Sequence, residues 1–158
     1  MQKLIQFSCK VSNVITDAMN WLAPLFQLGI RIYFLRVFLW SGWLKITSWD
    51  STLYLFAHEY KIVGMSPTVA AYLGTAAEIG LPILLFLGLG ARIPAILLFI
   101  FNIFNVVFYP TILTPEFACA LKDHYLWAAL IAVIIFFGHG KISLDYLLQR
   151  KVCKEYKY

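Results

Sequence analysis

The chain has 158 residues, of which 61% are hydrophobic and only 13% are charged. Water-soluble domains are about half apolar and about a quarter charged, so this composition excludes a soluble domain and indicates a membrane protein. The net charge of +5 does not indicate a nucleic-acid partner, because many of the basic residues cluster in the C-terminal tail, which is typical of the cytoplasmic side of a membrane protein. These residues are Lys141, Arg150, Lys151, Lys154 and Lys157.

The N-terminal stretch MQKLIQFSCKVSNVITDAMN lacks the continuous apolar core and small-residue cleavage site of a secretory signal peptide. Its apolar residues recur at helical spacing, which is compatible with a short helix lying on the membrane surface or with a frayed tail. The residues that form this pattern are Leu4, Phe7, Val11, Val14, Ile15 and Met19.

Four stretches are apolar enough to cross a membrane as helices, which need about 20 residues each. They predict spans at 22–46, 68–89, 93–113 and 124–138, the last of which is short. Between the first two spans, Trp49, Leu53, Phe56 and Tyr60 recur every three or four residues, which predicts a short amphipathic helix on the outer surface.

Basic residues fix the orientation of such a protein, because they are retained on the cytoplasmic side. Lys3, Lys10, Arg92 and the basic C-terminal tail all fall on one side of the four predicted spans. The sequence therefore predicts an all-α, polytopic membrane protein. We expect residues 1–158 to form one four-helix bundle, with both termini in the cytoplasm.

Glu78 is the one acidic residue of the second span. It lies ten residues from the outer end of that span, and Arg36 lies ten residues from the outer end of the first, so both lie at a depth of about 15 Å. An unpaired charge there costs at least about 2.5–3.5 kcal/mol. Because a guanidinium binds a carboxylate with two parallel hydrogen bonds, we predict that Arg36 pairs with Glu78.

Tyr33 and Asn102 are polar residues of the neighbouring spans that can join this pair. Two interpretations remain open for the resulting polar centre. It is either an ion-pair network that only fixes the register of the helices, or a site for a quinone, a proton or an ion, since ionisable groups inside a membrane often mark functional sites.

Three longer stretches resemble one known family. They are RVFLWSGWLKITSWDSTLYLFAHEY at 36–60, EIGLPILLFLGLGAR at 78–92 and HYLWAALIAVIIFFGHGKISLD at 124–145, and they are similar to the DoxX family of small four-helix proteins of the bacterial inner membrane. The family is named after subunits of a thiosulfate:quinone oxidoreductase, and other members associate with redox proteins. The signature positions that the resemblance implies are Arg36, Lys45, Glu59, Glu78, Arg92, His124, Ser143 and Asp145, while His139 stands where a proline is more usual.

Simple structural roles are expected for several of these positions. Lys45 can extend to the outer headgroups, and Arg92 can cap the turn between the second and third spans and meet inner phosphates. Ser143 and Asp145 can cap a helix that follows the fourth span.

The resemblance implies a membrane subunit that anchors or serves a soluble or membrane-bound redox partner, with a quinone near Glu78, rather than an enzyme on its own. Alternatives are a transporter or channel formed by a homo-oligomer, a non-catalytic scaffold, and a periplasmic metal site for copper or zinc at His58, His124 and Cys119. Autonomous thiol oxidation is excluded because Cys119 is the one outward cysteine.

Overall fold

A computed structural model describes residues 1–90, 92–138 and 140–155, and in these ranges every regular element is helical. The predicted all-α fold is therefore confirmed. His139 and Lys157 lie outside the described residues, as do the side chains of Lys3, Leu4, Cys153 and Lys154. The helices are α1 (Gln2–Thr47), α2 (Trp49–His58), α3 (Pro67–Leu87), α4 (Ile93–Phe108), α5 (Ala118–Phe137) and α6 (Leu144–Glu155), and two 3-10 turns (Pro110–Leu113 and Pro115–Phe117) join α4 to α5.

Helices α1, α3 and α5 are long and apolar enough to cross a membrane, and α4 is apolar but shorter, with 16 residues. The third predicted span was expected to reach residue 113, but α4 ends at Phe108. The residue before a proline is disfavoured in the helical conformation, and Tyr109, which precedes Pro110, has left it with ψ 79°. Helix α5, in contrast, starts at Ala118 rather than at 124. The predicted span began too late because the first turns of α5 carry polar residues such as Lys122 and Asp123, which a search for apolar stretches leaves out.

The predicted N-terminal helix and the first span form a single element. Helix α1 runs for 46 residues and keeps Pro24 within it, so the N-terminus is not a frayed tail. At a rise of about 1.5 Å per residue, α1 is about 69 Å long, more than twice the apolar thickness of about 30 Å of a bilayer. All residues from Ile5 to Ala23 are exposed.

The core lies where α1, α3, α4 and α5 meet. Helix α1 packs mainly against α3, and α4 packs mainly against α5. The buried side chains of the core come from all four helices; they are Ile30, Phe34, Phe38, Leu85, Ala95, Leu98, Ile131 and Ile134. This continuous apolar cluster holds the bundle together.

The short helix between the first two long helices is present, as α2. Its Phe56 packs on Ala70 and Ala71 of α3. A Cβ on Gly74 would lie 2.9 Å from the tip of the Phe56 ring, so the glycine leaves the space that this ring fills. Helix α2 thus folds back along the first turns of α3. We call this end of the bundle the outer end and the end with α6 the inner end.

At the inner end, side chains connect the turns between helices. Ser143 Oγ accepts a hydrogen bond from the Tyr146 N–H, 3.2 Å away, so it caps α6 as predicted. Asp145 Oδ1 accepts one from the Gly90 N–H, 3.3 Å away, which ties α6 to the turn between α3 and α4. The buried Arg31 donates to the Ile142 carbonyl. The side chain of Arg92 is exposed and makes no capping hydrogen bond at the start of α4, contrary to the predicted capping role. Its contact with inner phosphates stays a prediction.

Candidate functional site

A cavity of about 280 Å³ lies in the outer half of the bundle, between α1, α3, α4, α5 and the turns that follow α2 and α4. We call it the polar cavity, because hydroxyl, amide, imidazole and charged groups reach its wall. Those side chains are Ser41, Lys45, Tyr60, Glu78, Asn105, Tyr109 and His124, and apolar contacts come from Val37, Phe38, Ile112, Phe117, Ala120 and Trp127.

The charged groups of the polar cavity are Lys45 and Glu78, and they form an ion pair. Lys45 Nζ lies 2.8 Å from Oε1 and 2.7 Å from Oε2 of Glu78, and it donates a third hydrogen bond to Ser41 Oγ at 3.0 Å. The two side chains are 14% and 7% exposed. Thr52 Oγ1 of α2 donates to the Lys45 carbonyl at 3.0 Å, which fixes the end of α1. The carboxylate is thus fully engaged by one cation.

The predicted pairing of Arg36 with Glu78 is wrong. Arg36 is exposed on the side of α1, beside Tyr33, Trp40 and Trp43. The depth estimate assumed that the first two spans end at the same level. Instead, α1 ends beside the middle of α3, because α2 covers the first turns of α3.

The surroundings of Gly42 show how far along α3 the end of α1 lies. A Cβ on Gly42 would lie 3.5 Å from the Cβ of Glu78, so this part of α1 lies directly against the acid. Lys45 follows one turn later and reaches the carboxylate. The role predicted for Lys45, an extension to the outer headgroups, is wrong for the same reason, since its ammonium group points into the bundle.

Tyr33 does not join the polar cavity. Its hydroxyl accepts a hydrogen bond from the Trp127 Nε1–H at 2.9 Å, and its side chain is 38% exposed. Tyr60 is the tyrosine that reaches the polar cavity, from the loop after α2, and its hydroxyl donates to Asn105 Oδ1 at 3.1 Å. Burial, and secondarily the negative charge of Glu78, raise the pKa of Tyr60 above its ordinary value. The phenol therefore stays protonated and available as a donor at neutral pH.

His124 is held in one orientation by Asn102. The Asn102 amide donates to the His124 carbonyl at 3.0 Å, and His124 Nδ1 lies 2.7 Å from Asn102 Oδ1. Because this oxygen only accepts, Nδ1 carries the proton, and Nε2 of the neutral ring is left as an acceptor. Asn102 is buried and positions the imidazole at the cavity wall.

Replacement of Asn102 by leucine should lower the free energy of unfolding by about 1–3 kcal/mol, because two polar groups of His124 lose their partner inside the bundle. Reversible unfolding in detergent micelles would measure the loss. Asn105→Leu is the matched control, since Asn105 accepts a hydrogen bond from the Tyr60 hydroxyl at the cavity wall, and it should cost less. Equal losses for both variants would contradict the conclusion that the two hydrogen bonds between Asn102 and His124 stabilise the bundle.

Glu59 lies outside the polar cavity and has a structural contact. Its Oε2 accepts a hydrogen bond from Thr111 Oγ1 at 2.8 Å. The backbone N–H of Lys61 donates to the Phe108 carbonyl at 2.8 Å in the same region. These bonds fix the loop after α2 to the segment that follows α4, and so they hold Tyr60 in place.

A second, apolar cleft of about 410 Å³ lies between α3, α4 and the loop after α2. Leu73 and Phe104, which line it, are exposed on the outside of the bundle, so the cleft faces the lipid. Tyr60 and Asn105 line both this apolar cleft and the polar cavity. The remaining lining residues are Phe56, Ile62, Met65, Ala70, Gly74, Ala77, Phe101 and Phe108.

The residues considered for a metal site lie in different surroundings. The exposed ring of His58 stacks on Tyr54 with centroids 4.1 Å apart. Cys119 is exposed at the start of α5, and His124 is bonded to Asn102. Within the described part of the chain, no group of three or more His, Cys, Asp or Glu side chains could hold a metal ion.

The fold and this site define a helical membrane protein with a polar cavity in its interior. The family model DoxX matches residues 26–110, more than half of the chain, so the chain belongs to the DoxX family. The matched range contains Lys45, Tyr60 and Glu78 of the polar cavity and ends before His124, Ser143 and Asp145. No curated protein and no solved structure gives a significant match.

Proposed function

We propose that the protein is a four-span subunit of the bacterial inner membrane, with both termini in the cytoplasm, which binds a quinone and serves a redox partner. One observation carries the proposal: the polar cavity and the lipid-facing apolar cleft meet at Tyr60 and Asn105. A molecule with a compact polar head and a long apolar tail fits such a pair of compartments. The redox association implied by the family resemblance agrees with this choice.

The balanced charges of the polar cavity favour a ligand whose polar head is uncharged. Lys45 and Glu78 neutralise each other, whereas a phospholipid phosphate is held by an excess of basic groups. The Ser41 hydroxyl, which accepts from Lys45 Nζ, can donate to a carbonyl oxygen, and the Tyr60 hydroxyl can do so when it turns away from Asn105 Oδ1. His124 Nε2 can accept a hydrogen bond from a hydroxyl. Carbonyl and hydroxyl are the two forms of the oxygens of a quinone and its quinol.

Reduction of a quinone to the quinol takes up two electrons and two protons. We assign the electrons to the redox partner, since the sequence carries no glycine-rich nucleotide-binding motif. The two protons come from the solvent, and Glu78 is the group that can relay them to the bound head, because Lys45, held 2.7 Å from its Oε2, keeps its own charge throughout. The chain thus supplies binding and protons as an accessory subunit.

Packing below the polar cavity favours a binding site over a transport pathway through one chain. Phe34, Leu98, Ile131 and Ile134 are completely buried between the polar cavity and the inner end. A solute entering from the outer side would meet this filled core.

A short-chain benzoquinone should bind saturably to the protein in lipid nanodiscs, and Tyr60→Phe should weaken binding about three- to tenfold, the effect of one hydrogen bond. Calorimetric titration would measure the affinity. Trp127 lines the polar cavity, so a bound quinone should also quench its fluorescence, and Trp127→Phe should remove that part of the signal. Tyr54→Phe is the matched control, because it deletes the hydroxyl of an exposed tyrosine of α2 that does not line the cavity.

Two results would refute the proposal. One is binding that rises linearly with quinone concentration, as partitioning into the lipid does. The other is an equal loss of affinity in the Tyr54 and Tyr60 variants.

A further inference from the structure

We infer that Glu78 exchanges protons with the water on the outer side of the membrane, through a cleft between α1 and α2. The cleft has a volume of about 400 Å³, and we call it the outer cleft. The inference rests on the proposed function, in which Glu78 relays protons to a quinone, and it adds the side from which those protons come. The polar residues that line the outer cleft are Ser41, Lys45, Ser48, Ser51 and Thr52.

The outer cleft and the polar cavity share two lining residues, Ser41 and Lys45. Lys45 Nζ donates to Ser41 Oγ at 3.0 Å and contacts Glu78 Oε2 at 2.7 Å. Because both oxygens contact the same nitrogen atom, they are close enough for a single water molecule to bridge them. The Ser41 hydroxyl accepts from Lys45 and still has its own proton to donate. Protons can therefore pass from the outer cleft to Glu78 while Lys45 keeps its charge.

The outer cleft has the size and the lining that water needs. A water molecule occupies about 30 Å³ in the liquid and makes about three hydrogen bonds when it is buried. The cleft has room for several such molecules, and the hydroxyls of Ser41, Ser48 and Ser51 offer them partners. Thr52 has another role, since its Oγ1 donates to the Lys45 carbonyl at 3.0 Å. This bond holds α2 against the end of α1 and fixes the width of the cleft.

The mouth of the outer cleft lies in water rather than in lipid. It is formed at the turn between α1 and α2, where Thr47, Ser48, Asp50 and Ser51 are all exposed. An exposed carboxylate such as that of Asp50 is strongly disfavoured inside a bilayer, so the turn stands at the outer surface. Ser41 lies seven residues before Ser48 on α1, which places it about 10 Å further into the membrane.

The other directions from the polar cavity are apolar. Toward the inner end, Phe34 and Leu98 are completely buried and belong to the filled core. The apolar cleft faces the lipid, which carries no protons. The remaining titratable groups at the wall of the polar cavity are Tyr60, Tyr109 and His124, and they do not line the outer cleft. Protons that enter through the outer cleft therefore reach the Lys45–Glu78 pair first.

Cysteine labelling in membrane vesicles tests the inference without a quinone. The background is the full chain with Cys9, Cys119 and Cys153 replaced by serine, and a single cysteine is introduced at Ser41. A charged thiol reagent that cannot membranes pass should modify Ser41→Cys from the outer side about tenfold faster than Trp43→Cys, because the reactive thiolate forms in water and not in lipid. Trp43 is the matched control, since it lies nearer to the end of α1 but is exposed on the opposite face of the helix.

Filling the mouth of the outer cleft should slow this labelling. Ser51→Phe places a ring in the cleft and should lower the labelling rate of Ser41→Cys roughly fivefold, because the thiolate becomes less accessible. Thr47→Phe is the control, at an exposed position of the same turn that does not line the cleft. Leu44 also lines the outer cleft, so Leu44→Cys serves in the same way if Ser41→Cys is poorly made.

The labelling rate also reports on protons, because only the thiolate reacts and an ordinary thiol has a pKa of about 8.5. Raising the outer pH from about 6 to about 7 should therefore speed up the labelling of Ser41→Cys about tenfold. The same change of pH inside the vesicles should leave the rate unchanged.

Several results would overturn the inference: labelling from the inner side, equal labelling of Trp43→Cys, or no effect of either Ser51→Phe or the outer pH. Because no quinone is present, these results are separate from the quinone titration. Positive labelling with a failed titration would refute the proposed function and leave the outer cleft as a route for water and protons. Saturable quinone binding with failed labelling would refute the outer cleft alone.

Discussion

Lys45→Met should destabilise the protein by about 3–5 kcal/mol, the cost of removing one partner from a buried ion pair. Lys45 supplies all the charge compensation that the structure shows for Glu78, through contacts of 2.7 and 2.8 Å. Without it, a carboxylate remains in the middle of α3, packed against Gly42 of α1. Unfolding of the purified protein in detergent, followed by circular dichroism, would measure the loss.

Arg36→Met is the control that separates the two candidate pairings. The same change is made to a basic residue of the same helix, but Arg36 is exposed on the side of α1, so we expect removal of its charge from the spanning part of the helix to cause no loss of stability. Lys45→Met combined with Glu78→Leu should recover much of the loss, because replacing both partners leaves no uncompensated charge. A large effect of Arg36→Met with a small one of Lys45→Met would restore the original pairing.

The error over Arg36 shows what the sequence could not supply. Hydrophobicity and helical periodicity correctly predict α2 and α3 and most of the spanning part of α1, since they depend on neighbouring residues. The level of Lys45 relative to Glu78 depends on α2 folding back so that Phe56 fills the space at Gly74. That is a tertiary contact, and residue counting from the ends of the helices cannot reveal it.

Only part of the polar cavity could be predicted from the sequence, because some of its members are brought there by tertiary contacts. Glu78 stood out as an acid within an apolar stretch, and Asn102 as an amide at similar depth. Tyr60 was predicted only as part of the outer amphipathic helix, because the pattern cannot show that its hydroxyl reaches Asn105 of α4. The end of α4 at Phe108, in contrast, follows from Pro110 and could have been predicted.

Gly42→Ala and Gly29→Ala should have effects of opposite sign, although both replace a glycine within α1. Alanine favours a helix over glycine by about 0.5–1 kcal/mol, and at Gly29 an added Cβ meets nothing within 4 Å. We therefore expect Gly29→Ala to stabilise slightly. At Gly42 the added Cβ would lie 2.6 Å from Cγ1 of Ile79, so α1 and α3 must move apart, at a cost of about 1–3 kcal/mol.

The Gly42 variant should also affect the site, because the same contact sets the distance between α1 and the carboxylate of Glu78. Moving α1 away lengthens the bonds from Lys45 Nζ to Glu78, so a larger residue, as in Gly42→Leu, should lower both the melting temperature and the quinone affinity. Gly29→Leu should leave the affinity unchanged. If both leucine variants bind quinone as the wild type does, the close packing of α1 on α3 has no part in forming the polar cavity.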